Sequence, residues 1–185
     1  MANLTEQAIL EAFVRQLSER PLDKITVTDL AAECQITRRT FYYHFRDLLD
    51  VVERLFQIEL DITIREFQFG ASWQECFIRA SRFVLDNRRA VYHLYRSAHR
   101  DELERYISRL SMEVMRRYLA ELSKGHDVKP DDFEMICQFY KNALYGLVME
   151  WLERGMQGDP EHIIRRIGEL FDGGLLHAIT VSERS

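Results

Sequence analysis

The most regular feature of the sequence is the spacing of its apolar residues, which recur every three or four positions along most of the chain. Ile9, Phe13 and Leu17 show this spacing near the N-terminus. It is the period of α-helices that bury one face. Between the turn signals we predict helices over about residues 3–18, 27–34, 37–44, 47–69, 73–84, 88–98, 101–124, 130–154 and 160–181. No segment has a convincing strand pattern, so we predict an all-α fold of about nine helices.

The second and third predicted helices are short, and only Gln35 and Ile36 separate them. Thr26 with Asp29 has the spacing of a cap on the first of these helices, and Thr37 is suited to cap the second. Two short helices joined by so short a turn are typical of a helix-turn-helix, in which the second helix enters the major groove of DNA.

The third predicted helix has one apolar side and one basic side. Phe41 and Phe45 mark the side that we expect to be buried. At 100° per residue, an arc of about 140° collects three arginines and two tyrosines, provided that the helix continues to Arg46. These residues are Arg38, Arg39, Arg46, Tyr42 and Tyr43. Arginine binds phosphates or the edge of guanine, and tyrosine can donate a hydrogen bond to phosphate. Basic helix faces are common, so the prediction of a DNA interface depends on the helix-turn-helix spacing as well.

The overall charge limits this prediction without excluding it. The chain has a net charge of −5, and its first 50 residues hold six basic against eight acidic residues, a net charge of −2. Acidic chains are not generally attracted to nucleic acids. The basic side chains of the third helix are concentrated on one face, however, and a local patch is what would contact DNA.

The same segment resembles a known family. The runs TVTDLA at 26–31, ITR at 36–38 and TFYYHF at 40–45 are similar to the N-terminal signature of TetR/AcrR transcriptional regulators, in a resemblance that covers about residues 5–52. The segment from residue 38 to residue 47 is most similar to a subgroup that includes regulators of dihydroxyacetone kinase operons. In two places the chain departs from the family pattern. Gln35 replaces the common turn glycine, so the turn is less sharp or Gln35 adopts an unusual backbone angle, and Leu48 replaces a lysine that often binds phosphate.

The resemblance implies a helix-turn-helix DNA-binding domain at 1–46 and a helical effector-binding and dimerisation domain at 47–185. It further implies a homodimer that binds a palindromic operator in double-stranded DNA, acts as a repressor and is released by a small-molecule effector. The implied DNA-binding residues are Thr26, Thr28, Arg38, Arg39, Thr40, Tyr42, Tyr43, His44 and Arg46. Of these, Arg38, Arg39 and Thr40 would face base edges or adjacent phosphates, and Arg46 would substitute for the missing lysine.

The C-terminal part carries no motif of its own. The eighth predicted helix is apolar on more than one face, so it needs cover on several sides, which favours a dimer. The glycines at 173 and 174 permit close approach of another helix or end the ninth helix early. The candidate dimer-interface residues are Gly146, Leu152, Ile167, Phe171, Gly174 and Leu175. The candidate ligand-pocket residues are Trp73, Phe77, Tyr106, Tyr140, Asn142 and Tyr145, although aromatic residues at helical spacing are more often plain core.

Two other functions are alternatives to DNA-binding regulation. A helical enzyme would need convergent catalytic or metal-ligating groups, but the six histidines form no HExxH motif and the three cysteines form no CxxC pair. We therefore predict that the chain is no enzyme and needs no cofactor or metal ion. An adaptor that has lost DNA binding and acts through a protein partner is favoured by the acidic N-terminal region and by Leu48. Salt-dependent affinity for DNA separates this alternative from a regulator that reads DNA.

The expected location is the cytoplasm. The first residues show no basic cluster followed by an apolar stretch, so no signal peptide is predicted. Charged residues interrupt every apolar run before it reaches the length of a membrane span, so no membrane partner is predicted. The three cysteines are far apart in sequence, as is usual for small core residues in a reducing compartment.

Overall fold

The computed structural model describes residues 2–68 and 72–184. These residues form nine α-helices and one short 3₁₀ helix, and they contain no strand, so the predicted all-α class is confirmed. The α-helices are α1 (Ala2–Glu19), α2 (Val27–Glu33), α3 (Arg38–His44), α4 (Leu48–Gln68), α5 (Trp73–Asp86), α6 (Arg88–Tyr95), α7 (Arg100–Leu122), α8 (Pro130–Glu153) and α9 (Pro160–Arg184). The 3₁₀ helix is Leu22–Lys24. Residue 69, where the fourth helix was predicted to end, lies outside the described residues.

The described chain divides into two compact units. The N-terminal unit comprises residues 1–60 and 83–104, and the C-terminal unit comprises residues 61–82 and 105–185. The N-terminal unit therefore includes more than the predicted DNA-binding segment 1–46, since it also contains the start of α4 and all of α6. The functional division at residue 46 stays a prediction.

The core of the N-terminal unit brings together the apolar faces of its short helices. Phe13, Leu30, Phe41 and Val51 come from α1, α2, α3 and α4, and none of these side chains is exposed. Helix α6 packs against α1, and its His93 forms a hydrogen bond of 2.6 Å from Nδ1 to a carbonyl oxygen in the last turn of α1. That carbonyl belongs to the turn whose acceptors have no partner within their own helix, so α6 holds the end of α1.

The core of the C-terminal unit is formed by apolar side chains of α5, α7, α8 and α9. Val114, Leu119, Leu152 and Ile179 are almost completely buried in it. Helix α9 continues without interruption through residues 173 and 174, so the alternative that these glycines end the helix early is wrong. A Cβ atom at Gly174 would lie 2.9 Å from a tyrosine hydroxyl of α8 in the same chain, so this glycine permits close approach within the protomer.

None of the helices in the described part of the chain is long and apolar enough to cross a membrane.

Candidate nucleic-acid interface

Helix α2 ends in a turn that contains a residue with a left-handed backbone conformation. Gln35 has a φ of 54°, so the unusual backbone angle that the sequence left open is confirmed. The Gln35 N–H donates to the Ala32 carbonyl over 3.2 Å, and the Ile36 N–H donates to the Ala31 carbonyl over 2.9 Å. These two hydrogen bonds are those of a Schellman motif, in which glycine usually occupies the left-handed position. The chain therefore keeps the tight turn of a helix-turn-helix with a glutamine in the place of the glycine.

Helix α3 presents the basic face that the sequence predicted. Phe41 is completely buried and Phe45 is 4% exposed, while Tyr42 and Tyr43 are 50% and 80% exposed. Arg38 and its neighbour at 39 are both exposed in the first turn of the helix. The Arg38 guanidinium lies 6.0 Å from the centre of the Tyr42 ring, so the two side chains share one surface.

The N-terminus of α3 is fixed by two threonines. The Thr40 N–H donates to the Thr37 side-chain oxygen over 3.1 Å, and the two hydroxyl oxygens lie 2.9 Å apart. The predicted cap at Thr37 is therefore confirmed, and Thr40 is only half-buried, so its side chain remains accessible. His44 ends the helix half-buried, with its ring edge-to-face against Tyr43 at 5.1 Å.

The N-terminus of α2 has the predicted capping box. The Thr26 hydroxyl donates to the Asp29 carboxylate over 2.8 Å and accepts from the Asp29 N–H over 3.1 Å. The hydrogen bond from Thr26, aided by the nearby Arg20 charge, holds the pKa of the Asp29 carboxyl below its usual value. Thr26 and Thr28 are both exposed, so both can approach a phosphate. The ionised Asp29 next to them adds a negative charge to this end of α2.

A polar network between α1 and α2 was not predicted. Gln16 is 6% exposed, and its side-chain amide donates to the Glu33 carboxylate over 2.6 Å and accepts from Arg20 over 2.7 Å. Arg20 also lies 3.3 Å from Asp29 at the other end of α2. The network fixes both ends of α2 against α1, and therefore the direction in which the helix-turn-helix is presented. The two contacts that reach α2 join residues 9 and 17 positions apart, so no local spacing rule indicates them.

Arg46 does not belong to the recognition helix. Helix α3 ends at His44, as predicted, and Phe45 has extended backbone angles of −136° and 141°, so the condition that the helix continues to Arg46 is not met. The Arg46 N–H donates to Asp50 over 2.8 Å, and its guanidinium lies 3.3 Å from Asp50 and 4.0 Å from Glu53. The side chain is 80% exposed, so it lies at the surface beside the start of α4. The spacing of four between residues 46 and 50 was a visible signal for this pair.

The candidate pocket residues lie in different environments within the C-terminal unit. Trp73 and Phe77 are each 4% exposed and contact each other edge-to-face, with ring centres 6.1 Å apart, and Tyr106 is 3% exposed. Tyr140 and Tyr145 are half-buried. Asn142 is exposed, and its side-chain oxygen accepts hydrogen bonds from neighbouring side chains of the same helix, so its place in a pocket stays a prediction.

The candidate dimer residues also divide into inner and outer positions. Leu152 is 1% exposed and Leu175 is 2% exposed, so both belong to the core of one protomer, and a role for them in an interface stays a prediction. Phe171 is 55% exposed, Gly146 is exposed and Ile167 is half-buried. Gly174 is exposed as well, although its backbone faces a tyrosine of its own chain.

Two family matches cover most of the chain. Residues 9–55 match the family described as "Bacterial regulatory proteins, tetR family", and residues 71–173, more than half of the chain, match "Transcriptional regulator C-terminal region" of the same class. No curated protein is matched by the sequence.

Solved structures with the same fold include three bacterial regulators. "Dihydroxyacetone kinase operon activator DhaS" is 19% identical, with a TM-score of 0.75 over 97% of this chain and 98% of that one. NalD, described as the secondary repressor of the MexAB-OprM multidrug efflux pump in Pseudomonas aeruginosa, is 18% identical, with a TM-score of 0.61 over 93% of this chain and 97% of that one. A TetR transcriptional regulator from Streptococcus agalactiae is 20% identical, with a TM-score of 0.54 over 98% and 95%. With the family matches over both parts of the chain, the protein belongs to the TetR family of bacterial transcriptional regulators, which bind DNA and are not enzymes.

Proposed function

We propose that this regulator binds a palindromic operator as a homodimer and that α3 is the helix that reads the bases. The observation that carries the proposal is the division of α3 into a buried phenylalanine face and an exposed face of arginine and tyrosine. A short capped helix of this kind, following a tight turn, is the element that enters the major groove in helix-turn-helix proteins.

The exposed residues of the helix-turn-helix fall into two proposed roles. Arg38, Arg39 and Thr40 lie in the first turn of α3, the part of a recognition helix that reaches base edges. Tyr42, Tyr43, His44, Thr26 and Thr28 would contact phosphates, which position the protein but carry no base information. The exposed hydroxyls of Tyr42 and Tyr43 are suited to donate hydrogen bonds to phosphate oxygens.

The dimer is proposed from the apolar surface of α8 and α9. Among the described residues, eight of the twelve large apolar side chains that are exposed lie on these two helices. They are Met135, Phe139, Leu147, Ile163, Leu170, Phe171, Leu176 and Val181. Water-exposed apolar surface of this extent on neighbouring helices is typical of a protein–protein interface. A second copy with the same helices would cover it in a symmetric arrangement.

We further propose that operator binding represses transcription and that a small effector relieves it. A dimer that spans an operator excludes RNA polymerase from the same DNA. The buried aromatic side chains Trp73, Phe77 and Tyr106 of the C-terminal unit mark the proposed effector region, since aromatic side chains with a few polar groups are the usual lining of small-molecule sites. A thermal-shift screen of small aromatic and amphipathic compounds tests this part, and a protein that no compound stabilises contradicts it.

The experiment that tests DNA reading is selection from random duplexes, followed by titration of variants at two salt concentrations. We expect an enriched palindrome with half-site centres about one helical turn or more apart. Arg38→Ala should lose about 1–3 kcal/mol per half-site and relax the preference at particular bases. Tyr42→Phe should weaken binding to all sequences evenly.

The outcomes distinguish a DNA reader from an adaptor. If no palindrome is enriched, or if Arg38→Ala and Arg39→Ala bind as tightly as the wild-type protein, α3 is not the reading helix. Sedimentation tests the dimer separately, since a dimer should have twice the chain mass of 22.0 kDa and Phe171→Glu should shift the protein towards the monomer. A wild-type protein that sediments as a monomer at micromolar concentration contradicts the dimer.

A further inference from the structure

The backbone N–H groups around the start of α4 are bound by the carboxylates of two nearby aspartates. The Asp50 N–H donates to the Asp47 carboxylate over 2.9 Å, and the Asp50 carboxylate accepts the Arg46 N–H over 2.8 Å. The unpaired N–H groups and the partial positive charge of a helix N-terminus usually attract anions such as phosphate. Here the carboxylates of Asp47 and Asp50 take the place of an external anion, and Leu48 contributes no charge.

Arg46 is the cation that this end of α4 can offer to DNA. The other arginine of the segment, Arg54, is engaged with the Glu6 carboxylate of α1 at 2.7 Å. The Arg46 guanidinium instead lies beside the first turns of α4, 3.3 Å from Asp50 and 4.0 Å from Glu53. The hydrogen bond from the Arg46 backbone holds the pKa of the Asp50 carboxyl below its usual value, so this group is ionised at neutral pH.

The ion pair between Arg46 and Glu53 is weak enough for a DNA phosphate to compete with it. Ion pairs between exposed side chains contribute little, because water and salt screen both charges. The Arg46 side chain is 80% exposed and the Glu53 side chain is 55% exposed, so the pair is of this weak kind. An arginine–phosphate contact is favoured by charge-assisted hydrogen bonds and by release of counterions from DNA. Glu53 and a DNA phosphate therefore compete for Arg46, and removal of the Glu53 charge favours the phosphate.

We propose that Glu53 is a positioning residue that, beside the nearer Asp50, lowers DNA affinity by competing with a phosphate of the operator for the Arg46 guanidinium. This inference rests on the proposed DNA-binding function and adds to it a residue of α4 that sets affinity without reading bases. Since the effect passes through one arginine and one phosphate, it acts equally on all DNA sequences.

The experiment measures the affinity of the full-length protein for its selected operator duplex as a function of salt. Glu53→Gln keeps the size of the side chain and removes its charge. We expect binding to tighten by about two- to fivefold per half-site at low salt. The dependence of log K on log salt should also become steeper by about one unit per half-site, because one more phosphate is neutralised.

Three further variants separate this mechanism from a general effect of charge. Arg46→Ala in the Glu53→Gln background should abolish the gain, so that the double variant binds like Arg46→Ala alone. Glu53→Asp, which keeps the charge, should bind like the wild-type protein. Glu19→Gln removes the same charge from an exposed position at the end of α1, and it should give a smaller change in the salt dependence.

The result that overturns the inference is a gain in affinity that persists when Arg46 is removed, since Glu53 would then act by repulsion of DNA alone. If Glu53→Gln binds the operator duplex with the affinity of the wild-type protein, the inference is also contradicted, while the proposed function stands. A protein that binds no duplex in any of these variants contradicts the proposed function and this inference with it.

Discussion

Replacement of Gln35 by glycine should stabilise the protein. Gln35 has a φ of 54° at the end of α2, a conformation that is disfavoured for residues with a Cβ atom by about 1–2 kcal/mol. Glycine removes this penalty, but its more flexible unfolded chain offsets about 0.4–1 kcal/mol of the gain. The expected net stabilisation is therefore about 0.5–1 kcal/mol. For a chain of this size, that is an increase in the melting temperature of about 1–4 °C.

The assay is thermal unfolding followed by circular dichroism at a fixed protein concentration, because dimerisation makes the melting temperature depend on concentration. Gln35→Ala is the matched control, since alanine also lacks the exposed glutamine side chain but keeps the Cβ atom. It should melt close to the wild-type protein. Gly155 gives the reciprocal test at the end of α8, where φ is 72° and the space for a Cβ atom is open, so Gly155→Ala should destabilise the protein through the backbone alone.

The reasoning is refuted if Gln35→Gly melts at or below the temperature of Gln35→Ala. In that case the left-handed angle carries no penalty at this turn, and the glutamine in place of glycine needs another explanation.

Three further results follow from the structure. Thr26→Ala removes the capping hydroxyl and should destabilise the protein by about 1 kcal/mol in denaturant titrations, with Thr26→Ser as the control that keeps the cap. Because the pKa of Asp29 is lowered in the folded state, the ionised carboxylate stabilises the protein above the unfolded pKa near 4, and this contribution is lost as the pH falls through the folded pKa. An NMR titration should show a higher pKa for Asp29 in Thr26→Ala than in the wild-type protein. An unchanged pKa would mean that the Thr26 hydroxyl does not cause the shift. Leu152→Ala should destabilise the protein by about 2–5 kcal/mol, because it leaves a cavity in the core. Met135→Ala, which changes a side chain that is 68% exposed, should leave the stability of a monomer almost unchanged. Similar losses of stability at both positions would contradict the assignment of Leu152 to the core.

The sequence was most informative where the signal is local. Helix period, caps and turn length act over three or four residues, so the helices, the cap at Thr26 and the cap at Thr37 were predicted and are found. The two faces of α3 were predicted for the same reason, because Phe41 lies on the opposite side of the helix from Tyr43 in any seven-residue helix with this sequence. The resemblance over residues 5–52 likewise depends on residues at fixed local spacing, and it led to the correct family.

The tertiary structure decided which neighbour covers each apolar face and which partner each charge selects. Leu152 and Phe171 have the same apolar character, yet packing within the C-terminal unit buries the first and leaves the second exposed. A periodic pattern gives the direction of a side chain around its own helix but not the identity of the helix that lies there. The same limit applies to Gln16 and Glu33, which are 17 positions apart and meet only because α1 and α2 cross. Arg46 shows the same limit over a short distance, because the carboxylates of Asp50 and Glu53 determine the direction of its side chain and the sequence alone did not indicate which groups it would contact.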